Sequence, residues 1–319
     1  MPAWQSETLE AAMILCCGEA LIDMLPRETA EGLAAFAPHA GGAVFNTAIA
    51  LGRLGAPAAL FTGLSRDLFG QVLERALVAS HVDHGLAARS DRPTTLAFVT
   101  LTDGQAKYAF YDEGTAGRML APQDVPPLPP EVGAMFFGGI SLVAEPCGST
   151  FEALMLREAD ARVVMIDPNI RPGFITDEAA YRTRLDRMLA RADIVKLSDE
   201  DLHWIAGAGD TAEQARALIA RGPRVVIITQ GAKGATGYAP GHAIFVPAPS
   251  VTVADTVGAG DTFNAGVLCA LHRAGALTKP GLAAISENTL RSALSLGVHA
   301  AAVTVSRAGA NPPRADELA

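Results

Sequence analysis

Asp255 to Phe263 reads DTVGAGDTF. Its two glycines let successive backbone N–H groups converge on one anion, and a carboxylate, Asp261, follows at once. Downstream, Phe263, Val267, Leu268 and Leu271 recur at helical spacing, so a helix is expected to begin within Gly258 to Asp261. Its unpaired N–H groups and the positive end of its dipole would then face outward together. A carboxylate beside an anion hole makes chemical sense when a substrate hydroxyl lies between them. Asp261 would take the hydroxyl proton while the amides of Val257, Gly258, Ala259 and Gly260 hold the charge of a phosphoryl group in transfer. An Asp in a first helical turn also serves as a cap, and glycines also shape turns. These nine residues leave both readings open.

Other phosphate and metal motifs are missing or misplaced. No GxxxxGK[ST] occurs, which excludes a Walker A clamp as a motif. The string from Gly207 to Ala212 matches GxGxxA, but it follows the helical pattern DLHWIA, so a helix exit and a new N-cap are expected there instead of an NAD-binding turn. Cys16, Cys17, Cys147 and Cys269 form no CxxC and no zinc spacing, which points to a reducing compartment. His81 and His84 read as solvated residues of a helix-exit turn, and Met135, Phe136 and Phe137 as core strand.

The elements that must position these residues follow from hydropathy. Apolar, β-rich runs recur at 13–17, 59–62, 134–137, 162–166, 193–197, 224–229 and 250–253, separated by Ala- and Leu-rich stretches of helical spacing. This alternation predicts an α/β fold with a mostly parallel sheet. Polar residues collect after these strands, among them Asp23, Asp167, Asn169, Arg171, Ser198 to Asp201 and Gly231. Ligands of open α/β sheets bind outside the carboxyl ends of the strands, so one shared site is expected. Residues 19–37 and the pair 95–101 and 106–111, joined by a turn at 102–105, break the pattern and read as a small β insert, a candidate lid. The proline-rich run 121–131 is a stiff connector.

With 319 residues, half of them hydrophobic, the chain is expected to form one main body. Its formal charge of −9 and lack of a basic run argue against a nucleic-acid partner. A phosphorylated ligand would have to be met by local donors, since the overall field repels it. The first twelve residues lack the basic segment and apolar run of a signal peptide, and no stretch is apolar for a membrane span, so a cytoplasmic location is expected.

The segment DTVGAGDTF, with Asn264 and Gly266 after it, resembles the C-terminal signature of the ribokinase-like (PfkB) family of sugar kinases. The N-terminal half agrees: Gly41, Gly42, Asn46 and Ala48, then Leu54, Gly55, Gly63, Asp67 and Gly70, are similar to that family's GG-x-x-x-N-x-A…LG…G…D-x-x-G pattern. The similarity runs from about Gly18 to Gly309. Within the family, GEALIDMLP, YDEGTAGRML and IDPNIRPGF look most like bacterial fructokinases.

The resemblance implies a ribokinase-like fold over 1–319, with a mostly parallel twisted sheet, helices on both faces and a β lid from about 19–40 and 92–117. It implies ATP-dependent phosphorylation of a primary sugar hydroxyl, with D-fructose the expected acceptor and Asp261 the base. Gly258, Ala259 and Gly260 would form the anion hole. Asp23, Gly41, Gly42, Asn46, Asn169 and Arg171 would meet the sugar, and Lys196, Ser198, Thr229, Gly231, Lys233 and Gly260 the nucleotide. Magnesium would lie near Asp201 or Glu200, because Ser198 to Asp201 stands where many relatives carry N-x-x-E. A monovalent cation such as potassium would lie near Asp255, Thr304, Arg307 and Gly309, although Asp255 also suits a loop cap. A homodimer through the lid is a further expectation. Rival readings are a 2-keto-3-deoxygluconate kinase, using Arg92, Arg118 or Arg171, a silent sugar sensor on the same fold, and an NAD-dependent oxidoreductase.

Overall fold

A computed structural model describes the backbone of residues 12–102 and 105–318, and the side chains among them outside 100–108. The expected leader-free start, at 1–11, and the centre of the turn at 102–105 lie outside the described residues.

The first half of the chain runs β1 (Met13–Cys17), β2 (Leu21–Glu28), β3 (Ala34–Gly41), α1 (Ala43–Arg53), β4 (Ala58–Phe61), β5 (Gly63–Ser65), α2 (Leu68–Ala79), β6 (Val82–Asp83), β7 (Ala88–Ser90), β8 (Leu96–Thr102) and β9 (Gln105–Tyr111). The second half continues with β10 (Val132–Gly138), α3 (Cys147–Glu158), β11 (Val163–Asp167), α4 (Glu178–Arg191), β12 (Ile194–Ser198), α5 (Asp199–Ala206), α6 (Thr211–Ile219), β13 (Val225–Thr229), β14 (Gly234–Ala239), β15 (His242–Pro247), α7 (Ala259–Arg273), α8 (Lys279–Ala283) and α9 (Glu287–Val305).

The main sheet has the order β15-β14-β13-β12-β11-β10-β1-β4-β6. It is parallel except at β13/β14 and β14/β15, which are antiparallel. Its inner parallel strands β1, β4, β10, β11, β12 and β13 are mainly apolar because both faces are covered. Successive residues of β1 point to opposite faces: Ile14 and Cys16 join one core with Phe45, Leu268 and Leu294, while Leu15 and Cys17 join another with Phe137, Phe151 and Met188. The chain first builds outward from β1 through β4 to β6, then returns to β10 on the other side of β1. That reversal is the topological switch point, where the loops after β1 and β10 diverge and leave a crevice.

The second sheet, β3-β2-β8-β9, is the β insert expected from the broken pattern. Asp67, the N-cap of α2, anchors its base by accepting bonds from Gly70 N at 2.7 Å, Thr94 N at 2.8 Å and Thr94 Oγ1 at 2.6 Å.

Two expectations are corrected. Residues 250–253 are irregular, with Val251 and Val253 40% and 59% exposed. Pro247 and Pro249 just before them lack the N–H that another strand would need against β15. The hairpin β14–β15, absent from the expected runs, forms the sheet edge in their place. The GxGxxA string behaves as expected: Gly207 ends α5 at φ 76°, and Asp210 caps α6 by accepting from Glu213 N.

Candidate active site

Helix α7 begins at Ala259 behind Gly258, whose φ of 79° is left-handed and favours glycine. The turn aims the loop amides at a cavity of about 480 Å³ whose walls include Asp23, Asn46, Asp167, Gly258 and Asp261. Asp261, 7% exposed, stands in the first turn of α7. Asn46 Nδ2 donates to its Oδ2 at 2.9 Å, and its Oδ1 has no hydrogen-bond partner among the described residues. Burial pushes its carboxyl up to about 7; the Asn46 bond and Lys196 pull the other way, and Asp167 and Glu19 add to the rise. A carboxyl titrating near neutrality is suited to exchange a proton at working pH.

Behind this base lies a buried ion pair. Lys196 Nζ donates to Asp167 Oδ2 at 2.9 Å, and Asn264 Nδ2 reaches the same oxygen at 2.7 Å. Burial disfavours the Lys196 ammonium, yet Asp167, with Asp201 and Asp261 beyond it, outweighs that and raises its proton affinity. Lys196 therefore supplies a fixed positive charge at the rear of the loop.

Asp23, on β2, faces the cavity with no hydrogen-bond partner among the described residues, and burial lifts its carboxyl to about 6. Gly41 sits opposite, where a β-carbon would overlap the Asp23 carboxylate. Asn169 at φ 45° and Arg171 complete the rim, and Phe110 of β9 meets Phe174 edge-on at 4.8 Å across it.

A second cavity, also about 480 Å³, opens on the other side of the loop and shares Thr256, Ala259 and Gly260 with the first. Val251, Val253, Phe263, Val298, Ala301 and Val305 give it apolar walls, and Thr229 and Gly231 stand at one end.

The structure thus brings together Asp23, Gly42, Asn46, Asn169, Arg171 and Gly258 to Asp261 at one cavity, and Thr229, Gly231 and Gly260 at the other. Lys196, Ser198 and Lys233 line neither. Ser198 is the N-cap of α5, accepting from Asp201 N at 2.9 Å. Asp201 accepts from Ile170 N at 2.9 Å with one oxygen and from Ser198 N at 3.2 Å with the other, forming half of a capping box. Among the described residues no three His, Cys, Asp or Glu side chains gather around a metal position. A magnesium ion that arrives on phosphates keeps most of its waters and needs few protein oxygens. Exposed Glu200 is the acid of this segment that remains uncommitted.

Asp255 accepts from Val257 N at 3.0 Å and Gly309 N at 2.9 Å, clamping the anion loop to the C-terminal segment, as a cap would. Thr304 Oγ1 donates to Thr262 Oγ1 at 2.9 Å, and Arg307 pairs with Glu317 at 2.5 Å. Asp167 was expected only as one of the polar residues after the strands, with no role of its own, and Glu19 was passed over as a candidate. The polar position that ends a buried strand was the available signal for Asp167; Glu19, next to Gly18 after β1, had the same one.

A model of the pfkB family of carbohydrate kinases matches residues 11–317. The chain belongs to that family. It is 55% identical over 280 residues to a fructokinase of Rhizobium leguminosarum bv. trifolii, covering 88% of this chain and 86% of that protein. Its ribokinase-like fold matches a fructokinase with bound ATP from Xylella fastidiosa at a TM-score of 0.86, with 28% identity over 96% of each chain. It also matches aminoimidazole riboside kinase from Salmonella enterica at a TM-score of 0.81, with 26% identity over 96% of this chain and 98% of that one. A carbohydrate kinase needs a hydroxyl pocket and a nucleotide pocket, and the two cavities of this kinase meet at the loop of Thr256, Ala259 and Gly260. Among the described residues no helix is long and apolar enough to cross a membrane.

Proposed function

We propose that this kinase transfers the γ-phosphoryl group of ATP to the 6-hydroxyl of D-fructose, giving fructose 6-phosphate and ADP. The observation that carries the reading is Asp261, placed where the carboxylate-rich cavity meets the loop shared with the apolar one. The sugar oxygen attacks the γ-phosphorus, the bond to the β-phosphate bridging oxygen breaks, and the hydroxyl proton passes to Asp261. The amides of Gly258, Ala259 and Gly260, backed by the α7 dipole and the Lys196 charge, hold the equatorial phosphoryl oxygens. Asp23 and Asn46 suit sugar hydroxyls, since a carboxylate accepts two hydrogens and an amide both donates and accepts. Magnesium, bound with ATP, would neutralise the phosphates, with Glu200 the residue to offer it an oxygen.

In this reading the whole chain is one kinase domain working in the cytoplasm, where ATP is, and β3-β2-β8-β9 is its lid. The exposed lid residues Leu33, Phe36 and Tyr111 support a homodimer through that sheet, which light scattering would test. A 2-keto-3-deoxygluconate substrate would use Arg171, which lines the cavity; Arg92 and Arg118 do not. The 55% identical fructokinase favours fructose.

ADP release measured side by side with fructose, ketodeoxygluconate, ribose and a nucleoside tests the reading. The highest kcat/KM is expected for fructose, with phosphorus NMR showing the 6-phosphate. Preference for ketodeoxygluconate would replace the substrate and leave the mechanism, and sugar binding without ADP release would reject the kinase.

A further inference from the structure

Glu19 lies in the turn between β1 and β2, 8% exposed, and lines the carboxylate-rich cavity. Its side chain joins two separate walls. Oε1 accepts from Ala43 N, the first residue of α1, at 2.9 Å, and Oε2 accepts from Ser141 N, in the loop after β10, at 3.2 Å. Its own carbonyl accepts from Phe45 N at 3.2 Å, so α1 is held to this turn twice. Gly139, at φ 68°, stands against the carboxylate where any β-carbon would overlap it. No cation pairs with Glu19 among the described residues, and its burial is met by hydrogen bonds alone, the Ala43 and Ser141 amides foremost, while burial raises its carboxyl above the ordinary value. Helix α1 carries Asn46, which orients Asp261. The loop after β10 carries Gly139 and Ile140, which face the same cavity.

We propose that Glu19 is a positioning residue that fixes the distance between the α1 wall and the β10 wall of the sugar pocket, and through Asn46 the orientation of Asp261. The inference rests on the sugar-kinase reading of that pocket. A neutral apolar residue would have been the cheaper filling for a purely structural position. An acceptor with two oxygens on a flexible stem is what a bridge between two N–H groups requires.

Two variants separate bridge from charge. Glu19→Asp keeps the charge but is one methylene too short to reach both amides. Glu19→Gln keeps the length, but its amide NH2 faces one of the two N–H donors and its charge is gone. Both are expected to raise the sugar KM about ten- to a hundredfold, with the ATP KM within about twofold. Glu19→Gln alone should move the acid limb of kcat/KM to lower pH, since the Glu19 charge raises the Asp261 value; Asn46, Asp167 and Lys196 also face Asp261 and stay in place. A merely structural Glu19 would lower the melting temperature and leave these constants of the folded enzyme unchanged. Sugar KM values within about twofold of wild type in both variants overturn the proposal.

If Glu19→Gln fails to fold, Glu19→Asp decides. If wild type does not phosphorylate fructose, the substrate reading fails, and the comparison is made with whichever tested acceptor it does phosphorylate. If it phosphorylates none, amide hydrogen exchange of Glu19→Asp decides: faster exchange at Ala43 and Ser141 supports the bridge, and unchanged exchange at both removes it.

Discussion

The two cavities have the same volume, about 480 Å³, and opposite chemistry. One is walled by Glu19, Asp23, Asp167, Asp261 and Asn46; the other, among the described residues, has no charged side chain in its lining. The first suits a ligand that is hydroxyl all over, because carboxylates accept many hydrogens in fixed directions. The second suits a flat, apolar ring inserted edge-first, held by contact area instead of charge. Of the two linings, only the first carries acids, in a protein of formal charge −9. On the proposed reading, the apolar side is left free of acids for the phosphates, and backbone N–H groups with Lys196 offer donors at the junction.

The sharpest way to break the contrast is at the junction itself. Asp261→Asn should lower kcat by roughly 10²- to 10⁴-fold with a much smaller change in either KM. The wild-type pH profile belongs to the same test. Asp261 and Asp23 act as carboxylates and have values raised to about 7 and about 6, so kcat/KM should be full above that range and fall as pH drops through 7. The stability sign is opposite. The folded state holds the Asp261 proton between its unfolded value and about 7, so ionisation weakens the fold as pH rises through that window. Urea unfolding at pH 8 should then find Asp261→Asn more stable than wild type. A profile flat down to pH 5 would remove Asp261 from the base role.

The next effect lies in the apolar cavity. Ala301→Glu places a carboxylate on the α9 wall, and the ATP KM should rise by about a hundredfold while the fructose KM holds. A matching rise in both constants would mean that the cavities are not separate ligand sites. The smallest effect is expected across the sugar pocket. Gly41→Ala pushes a methyl group into the Asp23 carboxylate, and the fructose KM should rise about tenfold with ATP unaffected.

Legibility in the sequence followed the same divide. The loop at 255–261 could be read because its glycines and acid are adjacent in the chain and a helical period follows them. Most parallel strands could be read because burial on two faces makes them continuously apolar. Glu19 escaped, and Asp167 was placed without a role, because a single acid at a strand end looks like any turn residue until the fold sets the Ala43 and Ser141 amides or Lys196 beside it. Asp201 has a second role that its position did not announce: its oxygens accept from Ser198 N and Ile170 N, which holds the start of α5. The run 250–253 misled because β-propensity says nothing about whether a neighbouring edge is available, and two prolines withhold it.

Thr256, Ala259 and Gly260 are the residues common to both cavities. None of the three has a long side chain, so on the proposed reading the wall between acceptor and donor is built largely of backbone. Bulk added at Ala259 or Gly260 would thicken that wall from within, leaving an enzyme that still holds each ligand and joins neither to the other.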